Sequence, residues 1–148
     1  MAQQFDSDAD TRAAAAGPDN SAVREVLDRL AGAVTAGDAR AAARLWGTPA
    51  LVLGDGMAWS VGTRSEIEDF FAGAKQQYNA RGIVDTRPDI LRLEWLTDRI
   101  AVVEVRWPYI DVSGDEIGAE SSTYIVRRED DGEIMIRATI MQGEATRH

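Results

Sequence analysis

Ile100-Ala101-Val102-Val103-Glu104-Val105-Arg106-Trp107, then Ala119 to Arg128, then Glu133-Ile134-Met135-Ile136-Arg137-Ala138-Thr139-Ile140-Met141 dominate the last third of the sequence. In the first of these, one parity carries Ala101, Val103, Val105 and Trp107, and the other carries Ile100, Val102, Glu104 and Arg106. A side-chain period of two is the mark of a β-strand. Ile90 to Leu96 reads as a further strand, and Pro88 just before it suits only an edge or a bulge. Val112 to Gly118 joins the first long pair. Glu129-Asp130-Asp131-Gly132 joins the second, and Asp-Gly favours the positive φ angles of a tight hairpin. The reading is a four-stranded antiparallel meander.

Upstream, the period changes to that of helices. A helix is expected from the capping residues Asp19, Asn20 and Ser21. Val23, Val26, Leu27, Leu30 and Val34 form one apolar stripe on it. Gly37 ends it, and Asp38 caps a shorter helix through Leu45 and Trp46. Gly47-Thr48-Pro49 stops that one. Leu51–Leu53 and Met57–Val61 read as short strands about the turn Gly54-Asp55-Gly56. Ser65-x-x-Glu68 has the spacing of a capping box. It opens a third helix, whose face is Ile67, Phe70, Phe71, Ala74 and Tyr78 and which ends at Gly82. Helices first and strands after is the order of an α+β fold.

Composition limits the chemistry. The 148 residues suit one domain, 45% hydrophobic and 28% charged. There is no cysteine, which excludes thiol catalysis and thiolate zinc sites. The single histidine is His148, so a Ser-His-Asp triad or a histidine metal site is not expected. No metal and no cofactor enter the reading. A net charge of −9 repels phosphates and anionic lipids, so neither nucleic acid nor membrane is an expected partner. No stretch approaches the ~20 apolar residues of a membrane helix, and the start lacks the basic-then-apolar pattern of a secretory signal. A cytoplasmic protein is the expectation. Residues 1–18 read as a flexible tail, 19–142 as one domain and 143–148 as a C-terminal tail.

The ordered set of punctuation points resembles the nuclear-transport-factor-2-like superfamily, which includes the SnoaL-like and ketosteroid-isomerase-like proteins. The resemblance rests on Ala36-Gly37-Asp38, Leu45-Trp46-Gly47, Gly62-Thr63 with Ile67 and Phe70-Phe71, and Asp131-Gly132, across residues 20–142. It implies a cone-shaped barrel of the cystatin-like fold, with three N-terminal helices packed on a curved antiparallel sheet around an apolar pocket. It also implies a homodimer through the convex face of the sheet. Residue by residue, the isomerase chemistry does not carry over. The position of the general base is Gly54, that of the oxyanion-binding tyrosine is Leu30, and that of the second oxyanion donor falls near Tyr124. The His-Asp pair of the dehydratases is lacking too.

The register that the resemblance implies turns Trp107, Glu120, Ser122, Tyr124, Met135, Arg137, Thr139 and Met141 into the cone. It leaves Ile134, Ile136, Ala138 and Ile140 as the convex row for a dimer. The opposite register of the last strand buries the isoleucines and puts Arg137 outside. In the first register, Trp46, Trp59, Phe70, Phe71 and Tyr78 are expected to line a ligand pocket. Trp107, Tyr124, Met135, Arg137 and Met141 complete it. Asp111, Tyr109, Tyr124 and Arg137 are the candidate catalytic side chains, with Asp111 and Glu120 placed near the mouth as alternatives for a base. Three readings follow. The first is a domain that binds a small, mostly apolar organic molecule. The second is an acid–base enzyme of isomerase, cyclase or dehydratase type. The third is a non-catalytic dimerisation or accessory domain with a filled cone.

Overall fold

The computed structural model describes residues 8–144, with side chains from Asn20 onward. The elements are α1 (Asp8–Ala36), α2 (Ala39–Ala43), β1 (Trp46–Gly54), β2 (Met57–Val61), α3 (Arg64–Phe71), α4 (Ala74–Ala80), β3 (Asp89–Trp95), β4 (Ile100–Ile110), β5 (Glu116–Arg128) and β6 (Ile134–Glu144). The strands form one sheet in the order β2-β1-β6-β5-β4-β3. The meander β3 to β6 is antiparallel as expected, but β1 lies parallel to β6, so the sheet is mixed. The helices lie on its concave side. Val23, Leu27 and Leu30 of α1 share one buried core with Val103 and Val105 of β4 and Val126 of β5. Each large apolar side chain so buried contributes about 1.5–3 kcal/mol. At the far edge, Trp95 Nε1 donates to Asn20 Oδ1 at 2.9 Å and ties β3 to α1.

Several boundaries differ from the sequence reading. The α1 helix starts at Asp8, so the stretch 8–18 is helical. The run Ala13 to Ala16 favours a helix, which continues through Gly17-Pro18 and past the Asp19 cap position. Residues 1–7 and 145–148 lie outside the described residues, and β6 runs on to Glu144 past the boundary read at 142. Trp46 opens β1 instead of closing α2. The box that starts α3 is Thr63 with Glu66, not Ser65 with Glu68. The Thr63 hydroxyl accepts from the Glu66 amide, and Glu66 accepts from the Thr63 amide. Both pairs have the right spacing, and the earlier one wins because β2 already ends at Val61. The third helix is two helices: Gly73 adopts φ +83°, a left-handed conformation that breaks the run between Phe71 and Ala74. Among the described residues four helices therefore stand where three were expected.

The largest correction concerns β6. Val126 pairs with Ile136, Ile125 with Ala138 and Tyr124 with Thr139, so Arg137 and Ala138 together face Ile125. This is a β-bulge: two residues on one strand oppose one on its neighbour. Before the bulge Ile134 and Ile136 are buried, and after it Thr139 is. Each of the two registers is therefore right for one half of the strand. The convex apolar row is not Ile134 and Ile136. It consists of Ala138 and Ile140, beside Leu51 and Leu53 of β1 and Ile125 of β5. Of these, Leu51 (46%) and Ile140 (38%) are exposed.

Candidate functional site

Between the concave face and the helices lies a cavity of about 430 Å³. Its walls are largely hydrocarbon: Leu30, Ala31 and Val34 from α1, Trp46 from β1, Phe70 and Phe71 from α3, and Ile83 from the segment after α4. Trp46 and Phe71 lie 6.1 Å apart, and Phe70 meets Phe71 edge-on at 5.2 Å. Such tilted aromatic pairs are favoured by the ring quadrupole.

The floor is polar along one line. Glu120, Ser122 and Tyr124 are alternate residues of β5, so they share a face, and Thr139 of β6 pairs with Tyr124. At the deep end, the Trp107 indole N–H donates to the Tyr124 hydroxyl at 3.1 Å, and the two rings meet edge-on. Burial pushes the Tyr124 phenol up to about 12 against the opposing pull of Trp107, Ser122 and Thr139. At the other end, Glu120 Oε1 accepts two phenolic hydrogen bonds, from Tyr109 at 2.8 Å and from Tyr78 at 3.1 Å. Burial, followed by the hydrogen bond to Glu120, pushes the Tyr109 phenol up to about 12. Burial and the Glu120 charge raise the Tyr78 phenol further. Both phenols therefore keep their protons at neutral pH and act as donors to the carboxylate.

This bracket draws on three elements. Tyr109 is near the end of β4, and Gly118 pairs with it across the hairpin. A Cβ at Gly118 would stand 3.0 Å from the Tyr109 ring, so the missing side chain leaves room for that ring. Tyr78 reaches in from α4. Arg81, just beyond α4, places its guanidinium 4.9 Å over the Tyr109 ring and pairs with Glu144 at 2.8 Å.

The cavity gathers Trp46, Phe70, Phe71, Tyr78, Trp107, Tyr124 and Met141 of the expected lining, together with Tyr109. Trp59 is not part of it and stacks on the outer side of Phe70 at 5.9 Å. Met135 and Arg137 face the convex side, because the bulge sets the turn between inward and outward positions one residue later than simple alternation does. Arg137 donates to the Pro49 carbonyl at 3.0 Å and to both Glu129 oxygens at 2.9 and 3.1 Å. Asp111 is not in the cavity either. Its carboxylate accepts from the Ser113 and Asp115 amides and closes the β4–β5 turn. Lys75, Arg81, Asp85 and Thr86 line the cavity without having been singled out from the sequence. The buried Thr86 hydroxyl and the buried Trp46 indole nitrogen have no hydrogen-bond partner.

Of the three positions that the resemblance assigns to isomerase chemistry, Leu30 is a cavity wall and Gly54 is the end of β1. Among the described residues, no three His, Asp or Glu side chains stand close enough to share a metal ion. No described helix is long and apolar enough to cross a membrane.

Residues 19–144 match the family described as NTF2-like protein (DUF6841). No curated protein matches the chain. Among solved structures, a domain with a cystatin-like fold from Nostoc punctiforme superposes with a TM-score of 0.68 at 18% identity, over 87% of this chain and 79% of that one. An NTF2-like protein with a cystatin-like fold from Novosphingobium aromaticivorans gives 0.67 at 16% identity, over 95% and 92%. A ketosteroid isomerase-like protein from Erwinia carotovora gives 0.62 at 11% identity, over 86% and 96%. At these identities the likeness is one of fold.

Proposed function

The chain belongs to the NTF2-like family DUF6841, and from that premise we propose that it binds a small, mostly apolar organic molecule in the cone. The observation that carries this reading is a cavity of about 430 Å³ with aromatic and aliphatic walls and a single polar line along its floor. Pockets of this size and make-up suit small organic ligands, with the few polar groups setting orientation. The cavity of about 430 Å³ favours this reading over a non-catalytic accessory domain with a filled cone. Acid–base chemistry, the alternative, rests on Glu120 with Tyr78 and Tyr109 rather than on Asp111 or Arg137, which lie outside the cavity. The reading also retains a homodimer, now seated on Leu51, Leu53, Ile125, Ala138 and Ile140. Sedimentation at micromolar concentration would then give twice the chain mass, and a monomer there removes the dimer.

The test of binding is titration with N-phenyl-1-naphthylamine, a dye that brightens in apolar surroundings. Saturable binding is expected, with quenching of tryptophan emission, because Trp46 and Trp107 line the cavity. In Ala31→Trp the indole fills the space beside α1, and binding should fall by at least about tenfold, the loss that ~1.4 kcal/mol produces. Undiminished binding by a folded Ala31→Trp protein would place the dye elsewhere and overturn the reading.

A further inference from the structure

The polar end of the cavity is unusual in what it offers a ligand. Its three groups are Glu120, Tyr78 and Tyr109. A phenol has one proton, and a carboxylate has none. Both phenol protons point at the same oxygen, Glu120 Oε1, at 3.1 and 2.8 Å. Among the described residues the second carboxylate oxygen, Oε2, accepts no hydrogen bond, and no Lys, Arg or His nitrogen lies within ion-pair distance of Glu120. Arg81 approaches the Tyr109 oxygen as a donor, so what remains toward the cavity is the acceptor capacity of Oε2 and of the Tyr78 oxygen.

From this, and resting on the reading of the cone as a binding pocket, we infer that the ligand meets Glu120 with a hydrogen-bond donor, an ammonium or a hydroxyl carried on an apolar ring system. A ketone, ester or carboxylate at that position would set acceptor against acceptor, and it would leave half-buried groups on both sides unpaired. A buried unpaired polar group costs more than a made bond returns, so the discrimination is expected to be strong. The cations of the wall do not change this. Arg81 is engaged by Glu144 and by the ring and hydroxyl of Tyr109. The Lys75 stem lies against Gly37 at the end of α1. Asp85, the other acid of the wall, accepts from the Thr86 amide and adds no donor. The deep end has the opposite character, since there the Trp107 N–H already occupies the Tyr124 oxygen.

The experiment uses the whole chain and five probes on one ring system: naphthylmethylamine, naphthalenemethanol, acetylnaphthalene, naphthoate and naphthalene itself, each titrated by calorimetry and by tryptophan quenching. The amine and the alcohol should bind at least about tenfold more tightly than the ketone and the acid. In Glu120→Gln, which keeps the size and brings an N–H donor to the same place, the preference should collapse, with the ketone gaining and the amine losing. The wild-type series decides the matter even where that variant does not fold. Five equal affinities, or tighter binding of the ketone or the acid, would overturn the donor rule and leave the pocket standing. No binding of any probe, naphthalene included, would overturn both.

Discussion

The two faces of the sheet handle charge in opposite ways. On the convex face every arginine has an acidic neighbour. Arg92 pairs with Glu94 and Glu104, Arg106 with Glu116 and Asp89, and Arg127 and Arg137 share Glu129. These pairs are at least partly wet, and such pairs are worth little individually. On the concave face a lone carboxylate, Glu120, is held by two neutral phenols, with no cation paired to it. The outer face therefore spreads its charge into a network that can lose a member. The inner face concentrates polarity in a few hydrogen bonds, of which the Trp107–Tyr124 bond is buried away from water. The chain's wealth of arginine belongs to the first pattern and says little about the site.

If that contrast is right, removing one inner hydrogen bond should cost more than removing one outer ion pair. Tyr124→Phe is the sharper case. It deletes the acceptor of the Trp107 N–H inside the core and should destabilise the fold by about 1–3 kcal/mol, read from urea denaturation. A cost below a few tenths of a kcal/mol would erase the contrast.

A second, smaller effect should appear with pH. Tyr109 and Tyr124 ionise at about 12 in the folded protein, against about 10 in an unfolded chain. Below about 10 both states hold the protons, and the contribution is fully present. Above it the unfolded chain ionises first, so stability falls as pH rises from about 10 through about 12. The urea midpoint should drop over that window, and the decline should flatten in a Tyr109→Phe/Tyr124→Phe double variant.

The smallest change is expected outside. In Arg137→Met, Glu129 keeps its 2.9 Å partner Arg127, so the loss should stay below about 1 kcal/mol. Binding of apolar probes in the cone should be unaffected. A loss as large as that of Tyr124→Phe, or a loss of probe binding, would break the comparison.

Much of this was legible from residue order. Alternation over Ile100–Trp107 and 119–128 placed the inner rows of β4 and β5 correctly, and it put Glu120, Ser122 and Tyr124 together on one face. The aromatic walls followed from the same parity and from the α3 stripe. What alternation cannot carry is an extra residue. Ile136, Ala138 and Ile140 look equivalent in the sequence, and the bulge assigns the first to the core and the others to the surface. Glu120 could be placed in the cone, but its role depends on Tyr78, which approaches only because Gly73 redirects the chain into α4. The wall segment from Arg81 to Thr86 follows no helical or strand period, so no pattern marked it. Asp111 misled because its type suggested chemistry. The spacing to Ser113 and Asp115 was instead that of a side chain closing its own turn.

The bulge in β6 also bears on how such a chain can change in length. Deleting Ala138 would let Arg137 take its place opposite Ile125, while Val126–Ile136 and Tyr124–Thr139 stayed partnered. The same deletion a few residues away would invert every side chain beyond it. One codon can thus be lost at this point without changing which residues face the chamber. Because an extra residue bends its strand and adds twist, such an edit alters the curvature of the sheet and leaves the chemistry of its lining alone. The shape of the chamber and the identity of its walls are open to separate inheritance.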